Sequence, residues 1–189
     1  MLLWGLPLTP ETLYKRTVVM FEIPDPLHPA IVHLPIVLVF LGTLLSILAI
    51  FTRRGVLPQY AAVFLLLAAG AAQLAVNTGG DQADEVLRRM PDAKPLLFVH
   101  AEWGERMRTA SVIAAICAVV ALAFYRFSKF RRFLALITML VAAWACYSAF
   151  QAAKHGGAMV YHHGVGLQIL PNGSGTDSGP ISPTPKPGE

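Results

Sequence analysis

The residues of this chain whose type and spacing suggest chemistry are its six histidines. They fall into three groups, which are His28 and His33, then His100, then His155, His162 and His163. Histidine is the commonest metal ligand in proteins, and ionisable residues at membrane depth are usually functional. No Cys-x-x-Cys-His motif occurs, which excludes covalent attachment of a c-type haem. Because no nucleophile–base pair, phosphate loop or pair of catalytic carboxylates appears either, an electron-transfer or accessory subunit is favoured over a stand-alone enzyme.

The elements that must position these histidines are membrane-spanning helices. The chain has 189 residues, of which 55% are hydrophobic and 14% are charged, whereas soluble domains carry about a quarter charged residues. Crossing the hydrocarbon takes about 20 apolar residues, and four apolar stretches approach this length, at about 30–51, 57–76, 95–127 and 133–153. We therefore predict an all-α fold, an integral membrane four-helix bundle.

The domain organisation follows from composition. Residues 1–27 are expected to form an external segment with a short interfacial helix over about 10–21, since Thr9-Pro10-Glu11 is typical of a helix start. Residues 28–170 form the transmembrane domain. Residues 171–189 are rich in Gly, Ser and Pro and are expected to be irregular. Since extended proline-rich segments lose little entropy on docking, we expect this tail to bind another subunit of a membrane complex.

The charges predict the orientation of the bundle. Two short loops, 52–57 and about 126–132, hold six basic residues and no acid, while all eleven Asp and Glu lie on the other side. The positive-inside rule makes these loops cytoplasmic. The protein is then a multi-pass protein of the bacterial inner membrane with both termini and all six histidines periplasmic. The net charge of +4 reflects this topology and gives no case for nucleic-acid binding.

A set of imidazoles at one membrane face suits haem b. Haem b needs two axial imidazoles on opposite sides of a flat macrocycle and an apolar pocket, which a four-helix bundle supplies. A zinc or copper site needs three or four converging ligands. His28 and His33 are five residues apart and do not share a face of a regular helix, which favours separate ligand positions. Pro35 loosens the helix, so a metal-ion site stays open as an alternative.

Three segments carry a resemblance to a known family. His28-Pro29-Ala30-Ile31-Val32-His33-Leu34-Pro35-Ile36 resembles the His-Pro-x-x-Val-His-Phe-Pro-Ile signature of an uncharacterised prokaryotic four-helix membrane family, domain of unknown function 2231. Leu34 replaces the usual phenylalanine. The central stretch, Thr78-Gly79 with His100-Ala101-Glu102, and the terminal stretch around Tyr161, His163 and Gly164 also resemble it. The resemblance covers roughly residues 26–167, and the family's similarity to small membrane cytochromes b implies haem.

Position by position, the resemblance assigns the family's motif histidines to His28, His33, His100 and His163. We predict one or two haem b groups, with His33 and His100 as the first axial pair, because the first and third spans are diagonal in a simple four-helix ring. His28 and His163 would form the second pair. His155 and His162 fall outside the motif and rank lower.

Several neighbouring residues have two interpretations. Arg106 and Arg108 either pair with haem propionates or extend to the membrane interface. Glu102 either orients His100 or belongs to a solvated face, which is favoured. Gly156-Gly157 and Gly164-x-Gly166 either admit a flat cofactor or turn the chain after the fourth span, and the turn is favoured.

The sequence thus predicts a membrane b-type cytochrome or cytochrome-like subunit that transfers electrons near the periplasmic face, within a larger complex. Expected partners are membrane lipid and other subunits, and a periplasmic cytochrome c is a candidate. Two alternatives remain, a cofactor-free structural or assembly subunit and a metal-binding membrane protein.

Overall fold

A computed structural model describes residues 26–51, 56–124 and 126–166. These residues form five α-helices and one turn of 3-10 helix. The helices are α1 (His28–Ile31), α2 (His33–Phe51), α3 (Leu57–Arg89), α4 (Lys94–Ala123) and α5 (Ser128–His163), and the 3-10 turn, Pro91–Ala93, precedes α4. The predicted interfacial helix over 10–21 and the predicted tail from 171 onwards lie outside the described residues.

Within the described ranges, four helical stretches are long and apolar enough to cross a membrane. The first consists of α1 and α2, which are interrupted at Val32. Pro35 explains the interruption, because it has no N–H to donate to the carbonyl of Ile31. The other three crossings are α3, α4 and α5. The prediction of an all-α four-helix membrane bundle is confirmed.

The four crossings form a simple ring. Each packs against the next along the chain, and α5 closes the ring against α2. The first and third crossings are therefore diagonal to each other. We call the end where α1 and α4 begin and α3 and α5 finish the histidine end.

Two helices, α3 and α5, extend well beyond the apolar stretches that predicted them. α3 has 33 residues and continues through Asn77-Thr78-Gly79-Gly80, where the sequence predicted its end. Ion pairs from Glu85 to Arg88 and Arg89 hold its last turns. α5 likewise continues beyond Ala153 to His163. The bundle at the histidine end is therefore an ordered helical extension, with a small core of its own formed by Val86, Ala93, Met159 and Val165.

The core of the membrane region is lined largely by alanine. Its fully buried residues include Val39, Leu65, Ala68, Ala114, Ala142 and Ala145. Small side chains let helix backbones approach closely. Membrane helices associate through such packing, because the hydrophobic effect does not drive association between helices inside lipid. Large apolar side chains point outward, as expected of a surface that contacts lipid.

Candidate functional site at the histidine end

Two histidines from diagonal helices face each other at the histidine end. His28 opens α1, and His100 lies in the second turn of α4. Their ring centroids are 6.2 Å apart, and the ring planes are nearly perpendicular, at 86°. Both side chains are half-buried between the surrounding helices. We refer to His28 and His100 as the imidazole pair.

The position of His100 is set by α5. Its Nδ1 lies 2.9 Å from the carbonyl oxygen of Ala152. Because a carbonyl only accepts, Nδ1 carries the proton and donates it. The ring rests against the backbone of Gly156, where a Cβ atom would lie 3.0 Å from the His100 Cε1. A glycine at 156 is thus what allows the imidazole to pack this closely.

The position of His28 is set by α3 in the same way. Its Nδ1 makes a long contact of 3.4 Å with the hydroxyl oxygen of Thr78, whose proton is directed to the carbonyls of Leu74 and Ala75. The ring rests against Gly79, where a Cβ would lie 3.0 Å from the His28 Cε1.

The start of α1 is fixed by a side chain of α3. When its side-chain amide is oriented so that oxygen and nitrogen both face suitable partners, Gln82 accepts two hydrogen bonds. Its oxygen lies 3.0 Å from the backbone nitrogen of Leu27 and 3.3 Å from that of His28. This contact satisfies donors that a helix start leaves unpaired. The extension of α3 past Val76 therefore positions His28 through both Gly79 and Gln82.

This arrangement engages the Nδ1 atom of each histidine within the bundle. With Nδ1 as the donor, a neutral imidazole presents an unprotonated Nε2, the form that binds metal, and a hydrogen bond from the other nitrogen fixes its orientation. Two imidazoles on opposite sides of one metal ion have ring centres roughly 6 Å apart, since each metal–nitrogen bond is about 2 Å long. The separation of 6.2 Å matches this spacing.

The remaining histidines are not part of this pair. His33 opens α2 and is exposed, so the structure brings His100 together with His28 rather than with His33. His155 is half-buried beside Gly156, whereas His162 and His163 are exposed at the end of α5. The assignment of axial ligands stays a prediction, but the geometry favours His28 over His33 as the partner of His100.

The charged residues singled out from the sequence are engaged with one another along α4. Arg106 pairs with Glu102 and lies over the ring of Trp103, with its guanidinium carbon 4.5 Å from the ring centroid. Arg108 pairs with Glu105 and donates to Gln73 of α3 at 3.0 Å. Glu102 therefore belongs to the polar face of α4, and Ala152 takes the orienting role considered for it.

The glycines near the end of α5 divide between the two interpretations offered for them. Gly164 and Gly166 have positive φ angles of 65° and 90° and turn the chain after α5, as predicted. The turn interpretation is wrong for Gly156-Gly157, because both lie inside α5. Among the contacts of the imidazole pair, sequence reasoning missed Ala152 and Gln82. Neither residue type signals such a role in a sequence. Ala152 acts through its backbone carbonyl, and Gln82 acts through its side-chain oxygen.

The number of converging ligands distinguishes a metal-ion site from a haem site. In the described parts of the chain, no three His, Cys, Asp or Glu side chains are grouped so that they could hold an ion. A zinc site needs three or four protein ligands, whereas a haem iron takes two axial ligands from the protein and the rest from the macrocycle.

The fold and the site together define a four-helix membrane protein with an imidazole pair at one end of its bundle. The chain belongs to the family described as predicted membrane protein (DUF2231), whose model matches residues 24–168. The matched region contains every element of the bundle. Comparison with curated proteins and with solved structures gave no match.

Proposed function

We propose that this protein is a membrane b-type cytochrome or cytochrome-like subunit in which His28 and His100 provide the axial ligands of one haem b. The observation that carries the proposal is the imidazole pair itself, with ring centroids 6.2 Å apart on diagonal helices. When bound, a haem iron supplies reversible one-electron transfer.

The residues around the imidazole pair suit such a group. Ala152 and Thr78 fix the ring orientations through Nδ1, so that each Nε2 is left for the metal. Glycines at 79 and 156 keep Cβ atoms out of the space beside the rings. The chain's own contribution is thus to hold two neutral imidazoles at a set spacing in a largely apolar bundle.

The proposal includes a location and partners. The histidine end faces the periplasm of a bacterial inner membrane, as the basic loops at the opposite end indicate. Electrons would then be exchanged at the periplasmic surface, with a neighbouring subunit or a periplasmic cytochrome c. A cofactor-free structural or assembly subunit is the second candidate, since the exposed apolar side chains of the bundle would suit contact with another membrane protein as well as with lipid.

The test is an absorption spectrum of the full-length protein, purified in mild detergent from cells supplied with haem precursor. The wild type should show a Soret band and, when reduced, the sharp bands of a low-spin b-type haem. His28→Ala and His100→Ala should each lose the low-spin bands. His162→Ala, which removes an exposed histidine from the same end, is the matched control and should keep them.

The alternative pairing predicted from the sequence makes a different forecast for one further variant. His33→Ala should retain the low-spin spectrum if His28 and His100 are the ligands. Loss in His33→Ala with retention in His28→Ala would return the assignment to His33 and His100. A wild-type protein without a Soret band would reject the haem proposal altogether.

A further inference from the structure

A groove on the lipid-facing surface, between α4 and α5, is separate from the imidazole pair. Its volume is about 690 Å³, much of it open to the surroundings. One part of its lining is apolar, with Ile113, Leu140, Val141 and Trp144, and the other part is charged, with Glu102, Glu105 and Arg106. Ile113, Leu140 and Trp144 are each about half exposed, so the groove opens sideways toward lipid.

The groove crosses the level at which the hydrocarbon begins. α4 carries no charged residue after Arg108, so the three charged residues lie on the polar side of this border and Ile113 lies beyond it. On α5, Leu140 and Val141 belong to the apolar stretch 133–153. A molecule that fills the groove must therefore be amphiphilic, with its polar head at the charged end and its chain along the apolar end.

The charges at the mouth of the groove select among amphiphiles. One carboxylate oxygen of Glu102 pairs with Arg106, and one carboxylate oxygen of Glu105 pairs with Arg108. The second oxygen of each carboxylate can still accept a hydrogen bond. Side chains of Glu102, Glu105 and Arg106 are 43–46% exposed and accessible to a headgroup. With Arg106 and Arg108 the two carboxylates form a cluster without net charge that presents both acceptors and donors, which suits a headgroup that carries both a cation and an anion better than a purely anionic one.

The aromatic residues next to the groove hold its single lining cation in place. The Arg106 guanidinium lies over Trp103, and Trp103 packs on Trp144 with ring centroids 6.4 Å apart. This stacking keeps the guanidinium at the mouth of the groove, where it can bind a phosphate with the fork geometry of arginine.

We propose that this groove is a binding site for a phospholipid with an ethanolamine headgroup. The primary ammonium would donate to the free oxygens of Glu102 and Glu105, the phosphate would bind Arg106, and one acyl chain would lie along Ile113 and Leu140. A glycerol headgroup lacks an ammonium that could bind the second oxygens of Glu102 and Glu105. The inference does not depend on the cofactor proposal, because no groove residue belongs to the imidazole pair.

The test uses lipids with brominated acyl chains, which quench tryptophan on contact. The full-length Trp4→Phe variant, which keeps Trp103 and Trp144 beside the groove, is reconstituted into phosphatidylcholine vesicles. Brominated phosphatidylethanolamine or brominated phosphatidylglycerol is then added at the same mole fraction. We expect roughly threefold tighter apparent binding of the ethanolamine lipid, as befits exposed ion pairs.

Charge variants assign any preference to the groove. Glu102→Gln combined with Glu105→Gln should abolish the preference for the ethanolamine lipid. Glu85→Gln, which removes an acid of α3 that does not line the groove, is the matched control and should retain it. Equal quenching by both lipids, a preference for phosphatidylglycerol, or an ethanolamine preference that survives loss of both carboxylates would each overturn the proposal.

Discussion

Two glycines of α5, adjacent in sequence, meet different surroundings. A Cβ at Gly156 would lie 3.0 Å from the Cε1 of His100, whereas a Cβ at Gly157 would have its nearest neighbour, in Tyr161, at 4.0 Å. Position 156 is therefore part of the site and position 157 is ordinary helix surface. The pair offers a direct test of how tightly the imidazole is held.

Gly156→Ala should displace the His100 ring and weaken its hydrogen bond to Ala152. Such a bond contributes about 0.5–1.5 kcal/mol, so the free energy of unfolding in detergent should fall by about this amount or less, because alanine also favours the helix. Gly157→Ala should be neutral or stabilising by up to about 1 kcal/mol. Equal stability changes in the two variants would contradict the close packing of His100 on Gly156.

At this scale the sequence predicted that histidines gather at one end of the bundle, but not which two of them face each other. His28 and His33 have the same chemistry, so side-chain type does not distinguish them. The choice depends on the break at Val32 and on the glycine of α3 that receives the His28 ring. Both are properties of helix packing that no single segment encodes.

At the scale of the helices, Gly42 of α2 and Gly70 of α3 differ in their surroundings as Gly156 and Gly157 do. A Cβ at Gly42 would lie 2.8 Å from Cδ2 and 2.9 Å from Cγ of Leu65, which is fully buried. At Gly70, in the middle of α3, a Cβ would meet nothing within 4 Å. Close approach of α2 to α3 thus depends on position 42.

We expect Gly42→Ala to destabilise the bundle by about 1–3 kcal/mol, the usual cost of overpacking a core. The free energy of unfolding, measured by denaturant titration in mixed micelles, should show this loss. Gly70→Ala serves as the control and should match or slightly exceed the wild type. A Gly42→Ala protein as stable as the wild type would show that Leu65 relocates freely.

The extents of the helices show what hydropathy can and cannot predict. The apolar stretches located all four crossings, because burial in lipid demands them. They did not locate the ends of α3 and α5, because these ends leave the hydrocarbon and are held by ion pairs and by the small core around Val86 and Met159. The sequence predicted a helix end at Asn77-Thr78-Gly79-Gly80. In the structure the helix continues, and Gly79 allows the His28 ring to pack against it.

For the whole molecule, the orientation in the membrane decides which side of the membrane the imidazole pair faces. Cysteines introduced as Gly55→Cys, in the first basic loop, and Gly175→Cys, in the C-terminal segment, report on opposite sides. A membrane-impermeant maleimide added to intact spheroplasts should label position 175 and not position 55, because basic loops remain cytoplasmic. The unmodified protein, with Cys117 and Cys146 inside the spans, supplies the background. Labelling at position 55 and not at position 175 would show that the protein has the opposite orientation.

The location of the imidazole pair has an electrical consequence. His28 is the first residue of α1, so the pair lies where the first crossing begins. A membrane potential falls across the hydrocarbon, and carrying one elementary charge through all of it is worth about 2.3 kcal/mol per 100 mV. Almost none of that drop separates the pair from the solution at the histidine end. An electron delivered from this solution to the proposed haem would therefore do almost no work against the field, and its transfer would be insensitive to the voltage across the membrane.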